Sequence, residues 1–192
     1  MQEPSTLNGL VLMGGLSSRM GSDKSLISYH GKPQREHLFD MLRNVCRQVY
    51  TSCRSEHTVP MSLNPMPDTM DINGPLNGIL TAFHADPDQA WLAVAIDLPN
   101  VSAKVVQELI AHRDPRKLAT CFFDPSADAV EPLLTIWEPA AQPLLAADAA
   151  GGNISPRSFL QRHDVNIVYG MDKSIFINVN DPVARGRWQS RD

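Results

Sequence analysis

The stretch "WLAVAID", residues 91–97, constrains the fold more than any other part of the sequence. Residues 91–96 are all apolar, which is typical of a strand covered on both faces inside a parallel sheet. The predicted strand ends at Asp97, ahead of Leu98 and Pro99, so a carboxylate lies where the strand stops. A chain with such a strand needs a layer of helices on each side of its sheet.

Strands and helices alternate along the rest of the chain. Predicted strands cover residues 9–13, 48–53, 91–97, 118–123, 133–137, 165–169 and 175–179, and predicted helices cover 33–49, 140–150, 155–163 and the stretches from Pro75 and Ser102. This alternation predicts an α/β fold, a three-layer α/β/α sandwich with a Rossmann-like, mostly parallel sheet. The length of the chain, 192 residues, favours a single domain over residues 1–192. Ligands of such folds bind outside the carboxyl ends of the strands.

A glycine loop follows the first predicted strand at this edge. Gly14 and Gly15 lack a Cβ, so a ligand can approach their main-chain N–H groups closely. Arg19 and Lys24 follow, and both suit phosphate oxygens. Asp23, and not a glycine, stands immediately before Lys24, and no G-x-G-x-x-G occurs, which disfavours a kinase-like P-loop and a dinucleotide-binding loop. A nucleotide-phosphate loop is therefore predicted, with a plain surface turn as the alternative.

Composition excludes several other classes. A net charge of -4, with basic residues spread along the chain, argues against a protein that coats nucleic acid. No apolar run is long enough for a membrane span, and the N-terminus lacks the pattern of a secretion signal. Three cysteines without a C-x-x-C pair predict neither a disulfide framework nor a zinc site. We expect a cytoplasmic protein with no nucleic-acid or membrane partner.

The glycine loop also carries a family signature. The segment "LMGGLSSRMGSDKSLISYHGKP" resembles the L-x-G-G-x-S-x-R-M-G-x-D-K pattern, followed by G-K-P, of nucleotidyltransferases of the molybdenum cofactor guanylyltransferase type. The resemblance continues in "GPLNG" at 74–78, "AIDLP" at 95–99 and "FINVNDP" at 176–182, and so spans nearly the whole chain. It implies a fold of the nucleotide-diphospho-sugar transferase type and a magnesium-dependent transfer of a nucleotidyl group.

The resemblance also implies which residues form the site. Main chain at the end of the first strand and the G-P-L-x-G turn would hold the nucleotide, which gives Leu12, Met13, Gly14, Gly15, Pro75, Leu76 and Gly78. Asp97 would bind Mg²⁺ and contact the nucleotide, with Asn180 completing the metal site. Arg19 and Lys24 would stabilise the leaving pyrophosphate. Asp68 would accept hydrogen bonds from guanine N1 and N2.

The implied substrates are GTP and a molybdopterin-type acceptor, with other cofactor-biosynthesis proteins as further partners. Arg157 and Lys32 are candidate contacts for the acceptor phosphate. Asp71 is an alternative to Asp68 for the base, and Asp97 and Asn180 can also be turn formers. Two other functions stay open at this point: transfer of a cytidylyl or other nucleotidyl group to a different phosphorylated acceptor, and nucleotide binding without catalysis.

Overall fold

Strands and helices alternate through the computed structural model, which describes residues 7–13, 24–54 and 58–177. The strands are β1 (Leu7–Leu12), β2 (Val49–Cys53), β3 (Pro65–Pro67), β4 (Ala90–Ala95), β5 (Ala119–Asp124), β6 (Ala129–Trp137) and β7 (Asn166–Val168). The helices are α1 (Gln34–Arg43), α2 (Pro75–Ala85), α3 (Ala103–Ala111), α4 (Gln142–Ala150) and α5 (Pro156–Arg162). Short 3₁₀ turns cover Lys24–Leu26, Met61–Leu63, Pro139–Ala141 and Lys173–Phe176.

The described strands form one sheet in the order β3-β2-β1-β4-β6-β5-β7. Strand β6 runs antiparallel to its neighbours β4 and β5, and every other neighbouring pair is parallel. The mostly parallel sheet predicted from the sequence is therefore confirmed. All strands except β6 end at one side of the sheet, called here the carboxyl edge, where β6 begins. The opposite side is called the amino edge.

Neighbouring residues of a strand point to opposite faces of the sheet, so the apolar strands place side chains on both faces. Helices cover each face and bury these side chains. One core layer joins β1 and β4 to α1 and α3, and its buried side chains include Val11, Leu38, Leu42, Leu92, Val94, Val106 and Leu109. The other joins the same strands to α2, α4 and α5, and includes Leu10, Ile79, Phe83, Ala93, Leu145 and Phe159. All six residues of β4 are buried, as the apolar run predicts.

The first helix is shorter than predicted. The prediction of a helix over residues 33–49 is wrong beyond Arg43, because the chain there turns to pair with β1. The Arg47 amide donates to the Leu7 carbonyl at 2.9 Å, and the Gly9 amide donates to the Gln48 carbonyl at 2.8 Å. Apolar residues at helical spacing continue past the true end of the helix, so only the tertiary pairing sets its limit.

Two further elements differ from prediction. The strand predicted at 175–179 is wrong for its described part, since Lys173–Phe176 is a 3₁₀ turn in which the Ser174 amide donates to Asp172 Oδ1. Residues 178 and 179 lie outside the described chain. Strand β3 escapes prediction because Pro65 and Pro67 flank a single residue, a composition that strands accept only at a sheet margin. The "WLAVAID" strand ends at Ala95, two residues before Asp97.

None of the helices in the described ranges combines the length and the apolar composition of a membrane span.

Candidate functional site

The end of β1 and the turn after β4 lie side by side at the carboxyl edge. The Ile96 amide donates to the Leu12 carbonyl at 3.1 Å, which extends the ladder that pairs Leu12 with Ala95. The side chains of Leu12 and Met13 are buried. The main chain of both residues, and not their side chains, would therefore contact a ligand at this point.

Asp97 lies in the turn that follows β4. The turn is closed by the Leu98 amide, which donates to the Ala95 carbonyl at 3.3 Å, and the Leu98 side chain is fully buried. The Asp97 residue is half-buried at the carboxyl edge, beside the end of β1. The anchored turn gives this carboxylate a fixed position next to the glycine loop's starting point.

The donor set suits magnesium better than a metal that needs many protein ligands. Across residues 7–13, 24–54 and 58–177, no three His, Cys, Asp or Glu side chains group together to hold a metal ion. Magnesium takes one or two carboxylates and fills its remaining positions with phosphate oxygens and water. One half-buried carboxylate at Asp97 fits that donor set. Asn180, the second predicted ligand, lies outside the described residues.

Most of the signature loop also lies outside the described residues, including Gly14, Gly15 and Arg19. Lys24 opens the 3₁₀ turn Lys24–Leu26, which leads into a short bridge between Ser28 and Pro33. The roles predicted for these loop residues stay predictions.

The segment between the loop and α1 is fastened to the Asp97 turn. His30 Nε2 lies 2.9 Å from the Pro99 carbonyl oxygen, and the His30 ring stacks on His37 with 4.0 Å between centroids. Burial, His30 and Lys32 together lower the pKa of His37. Lys32 Nζ lies 2.5 Å from Asp40 Oδ2 in an exposed ion pair, so an acceptor phosphate at Lys32 would compete with this carboxylate.

Asp68 is held firmly at the carboxyl end of β3. Its amide donates to the Cys53 carbonyl at 2.8 Å, and Ser52 Oγ donates to Asp68 Oδ1 at 2.9 Å. Burial and the nearby Asp68 carboxylate raise the pKa of the Cys53 thiol. Asp71, the alternative residue for base recognition, is exposed. A positioned carboxylate is the better candidate for selective hydrogen bonding.

The turn into α2 is ordered by a residue that the sequence did not single out. Asn77 Nδ2 donates to the carbonyls of Met70 and Ile72 at 2.7 and 2.9 Å, and Asn77 Oδ1 accepts from the Met70 amide. Gly74 precedes the helix with φ of 94°, and Pro75 is its first residue. Between this turn and Asp68 lies a cleft of about 200 Å³, lined by Arg54, Asp68, Met70, Asp71, Ile72, Asn73 and Asn77.

Leu76 and Gly78, both predicted to bind nucleotide, lie inside the protein. Leu76 is 1% exposed and packs in the core layer of α2. A Cβ at Gly78 would lie 2.9 Å from Leu12 Cδ2 and closer still to Ser52 Oγ. These two residues therefore bring α2 against β1 and β2, and their predicted contact with the nucleotide stays a prediction.

On the other half of the carboxyl edge, sequence reasoning missed a buried acid. Glu131 lies near the start of β6 and is 5% exposed. Arg157, at the start of α5, is close enough to favour the charged form of Glu131, although burial is the stronger effect and raises the pKa. An acidic residue inside the apolar stretch "AVEPLLTIW" was the available signal, since an acid is rarely fully buried. No comparable feature of the sequence indicated that Ser52 contacts Asp68.

Comparison with known proteins assigns the family. A family model described as the MobA-like NTP transferase domain matches residues 9–167. The molybdenum cofactor guanylyltransferase of Xanthomonas euvesicatoria pv. vesicatoria is 31% identical over 191 residues, which cover 95% of this chain and 93% of that protein. The molybdenum cofactor biosynthesis bifunctional protein of a Synechocystis strain is 34% identical over 184 residues. The match covers 94% of this chain but 53% of that longer relative.

Solved structures agree on the fold. The molybdopterin-guanine dinucleotide biosynthesis protein A of Archaeoglobus fulgidus superposes with a TM-score of 0.76 at 22% identity, covering 95% of this chain and 97% of that one. A CMP:2-keto-3-deoxy-manno-octonic acid synthetase complexed with CTP superposes with a TM-score of 0.72 at 10% identity. The Rossmann-like fold of nucleotidyltransferases is thus confirmed. The chain belongs to the MobA-like NTP transferase family, and it is a nucleotidyltransferase.

Proposed function

We propose that this protein transfers GMP from GTP to molybdopterin, with Mg²⁺ as cofactor and pyrophosphate as the second product. The family assignment supports the reaction class, and relatives named molybdenum cofactor guanylyltransferase support the substrates. The observation that carries the proposal is the hydrogen bond from Ile96 to Leu12, which holds the Asp97 turn beside the strand end where the glycine loop begins.

The reaction needs alignment and charge neutralisation more than covalent help from the protein. An oxygen of the acceptor's terminal phosphate forms a bond to the α-phosphorus of GTP. The bond from that phosphorus to its bridging oxygen breaks, and the electron pair leaves with pyrophosphate. Bound Mg²⁺ would supply charge neutralisation at the phosphates, held by Asp97 and Asn180. Arg19 and Lys24 would stabilise the pyrophosphate as its charge develops.

The nucleotide lies, in this proposal, over β1, β2 and the start of α2. Main chain of residues 12–15 and of Pro75 contacts the nucleotide, while Leu76 and Gly78 hold that surface in place. Asp68 accepts hydrogen bonds from guanine N1 and N2, and its contact with Ser52 supports this role because it fixes the carboxylate. Adenine and cytosine do not present the same pair of donors.

A nucleotide screen tests the base. The protein is melted with Mg²⁺ and each of GTP, CTP, UTP and ATP, since a bound ligand stabilises the folded state by about 2.7 kcal/mol at a hundred times its Kd. We expect GTP to raise the melting temperature most. A clear preference for CTP would overturn the guanine assignment. Product analysis with molybdopterin then separates transfer to this acceptor from transfer to another phosphorylated compound.

The single-domain organisation of residues 1–192 stays a prediction.

A further inference from the structure

A cleft of about 650 Å³ lies at the amino edge of the sheet, between the end of α1 and the start of β2. Its walls include Phe39 and Arg43 of α1, Arg47 of the turn that follows, Tyr50 of β2, and Asn64 directly ahead of β3. This amino-edge cleft is on the side of the sheet away from the glycine loop. Small-molecule pockets in proteins have volumes of about 300 to 1,000 Å³, so the cleft has the size of a ligand site.

The walls of the amino-edge cleft are fastened to the sheet. Main-chain hydrogen bonds to β1 hold residues 47 and 48 in place. On the other wall, Asn64 Nδ2 donates to the Val49 carbonyl at 2.9 Å, and the Asn64 carbonyl accepts from the Thr51 amide at 3.1 Å. The cleft is therefore preformed, and a ligand does not have to order its main chain on binding.

Two arginines give the amino-edge cleft its charge. Arg43 and Arg47 are exposed, and within residues 7–13, 24–54 and 58–177 no hydrogen bond or ion pair engages either guanidinium. In the same part of the chain, no acidic side chain lines this cleft. A guanidinium presents its N–H donors as a fork that fits phosphate or carboxylate oxygens. Both positive charges are therefore available to an anion that enters the cleft.

The surroundings of the two arginines differ. Arg43 is in the last turn of α1, where a cation also complements the helix dipole. It lines a second, neighbouring cleft together with Glu36 and Asp40. Arg47 lies beyond the end of the helix, and those acids do not line the amino-edge cleft with it. The helix dipole therefore explains Arg43 but not Arg47, and we expect Arg47 to contribute more to anion binding.

The neutral side chains favour a ligand that carries an organic group beside its anion. Tyr50 Oη donates to Gln48 Oε1 at 2.6 Å, which leaves the Gln48 amide NH₂ as a further donor. The half-buried Tyr50 ring packs on Trp91 with 5.8 Å between centroids, and the buried Phe39 also lines the cleft. A phosphate ion by itself would fill only a small part of this space. The remainder suits a compact ring.

We propose that the amino-edge cleft binds a small phosphate monoester, with the phosphate on Arg43 and Arg47 and the organic group against Tyr50. A monoester phosphate carries about −1.5 to −2 charges at pH 7, which the two guanidinium groups match. The cleft and Asp97 lie at opposite edges of the sheet. This ligand is therefore distinct from the substrates of nucleotidyl transfer, and the inference does not depend on the proposed function.

Calorimetric titration with phenyl phosphate tests the proposal. The intact protein is first saturated with Mg²⁺ and a GTP analogue whose α,β bridge cannot be cleaved, so that the proposed active site is occupied. The comparison probe is inorganic phosphate, which lacks the ring. We expect phenyl phosphate to bind about tenfold more tightly, because its ring leaves water on binding. Equal affinity for the two probes, or no binding of phenyl phosphate, would overturn the proposal.

Arg47→Gln locates the bound phosphate. It should raise the Kd for phenyl phosphate about tenfold, since a hydrogen bond between charged groups is lost, and Arg43→Gln should raise it less. Arg116→Gln is the matched control, because it removes an exposed charge ahead of β5, at the same edge but outside the cleft, and should leave this Kd as it is. A melting curve checks that each variant is folded. A Kd that Arg47→Gln leaves unchanged would contradict the proposal.

The KM for GTP separates this cleft from the proposed active site. Arg47→Gln should leave that KM unchanged, because Arg47 lies at the opposite edge of the sheet from Asp97. A raised KM for GTP in the folded variant would assign Arg47 to the substrate and overturn a separate phosphate site.

Discussion

A buried glutamate lies near each end of β6, Glu131 inside the strand and Glu138 directly after it, and the two are held in different ways. At the amino edge, Glu138 accepts two hydrogen bonds from the Arg113 guanidinium, at 2.6 and 2.8 Å, and both side chains are nearly inaccessible. At the carboxyl edge, Glu131 is capped by a single backbone amide in a bulge. The residue type is the same, and the partner differs.

This difference separates a carboxylate held in a buried ion pair from carboxylates at the edge of the sheet where ligands of such folds bind. Arg113 and Glu138 form a buried ion pair, so removing one partner would leave the other charge buried alone. Asp97, Asp68 and Glu131 lie at the other edge and are positioned by turns, a hydroxyl and a main-chain amide. We therefore expect changes at the carboxyl edge to lower activity and changes at the amino edge to lower stability.

Asp97→Ala should affect catalysis most. In the proposed mechanism this change removes a magnesium ligand and several kcal/mol of transition-state stabilisation, so pyrophosphate release should fall about a thousandfold. The melting temperature without ligands should stay nearly constant. Asp88→Ala, which removes an exposed carboxylate ahead of β4 at the amino edge, is the matched control. Unchanged pyrophosphate release in Asp97→Ala would contradict the metal role.

Arg113→Met should lower the stability of the fold and leave catalysis unchanged. It leaves Glu138 charged and unpaired in a buried site, which costs about 3 to 5 kcal/mol of unfolding free energy, measured by urea unfolding. Turnover per folded molecule should remain. Arg116→Met is the control, because the Arg116 guanidinium that pairs with Asp114 is exposed and its loss should change stability far less than the loss of Arg113. A loss of turnover in folded Arg113→Met would contradict the expectation that changes at the amino edge lower stability alone.

Gly78→Ala should affect both properties. The added Cβ meets Ser52 and Leu12, and overpacking of this kind costs about 1 to 3 kcal/mol of unfolding free energy. It also displaces the Ser52 hydroxyl from Asp68, so GTP should stabilise the variant less. Adding Ser52→Gly relieves the contact and should restore stability without restoring the effect of GTP. Full recovery of both would show that the Ser52 contact does not orient Asp68.

Asp68→Asn should lower the affinity for GTP about tenfold and reduce its advantage over ATP, because an amide cannot accept from both guanine donors. The measurement is the melting temperature at a series of nucleotide concentrations. Asp71→Asn, the exposed neighbour in the same loop, should change neither affinity. The opposite pattern would assign base recognition to Asp71.

The smallest effect concerns pH. Burial raises the pKa of Glu131 above its usual 4.5, against the influence of Arg157 and with that of Asp124. As pH rises above that value, the unfolded chain releases the proton before the folded chain does, so the contribution of Glu131 to stability is lost as pH rises through its folded pKa. Urea unfolding from about pH 4.5 upward should therefore show Glu131→Gln gaining stability relative to the unaltered protein. Parallel curves would contradict a raised pKa.

Local pattern was enough to predict much of the architecture. The apolar run before Asp97, the glycine loop and the cap at Ser102 each depend on residues close together in sequence, and β4 and α3 appear where these signals place them. Element limits were harder, because helical spacing past Arg43 continues into residues that pair with β1. For the site, the position of Asp97 at the carboxyl edge follows from the predicted strand end, whereas the position of Asp68 depends on β3, which the sequence analysis did not predict.

The sequence by itself determined the fold class, the family and the strand-end acid Asp97, since periodicity and motif spacing are properties of neighbouring residues. Only the tertiary structure decided that Gly78 packs on Ser52, that Ser52 donates to Asp68, and that Glu131 and Glu138 have different partners. The partner of a buried polar group depends on which strands adjoin and in what register. Those neighbours are distant in the chain, and no local pattern encodes them.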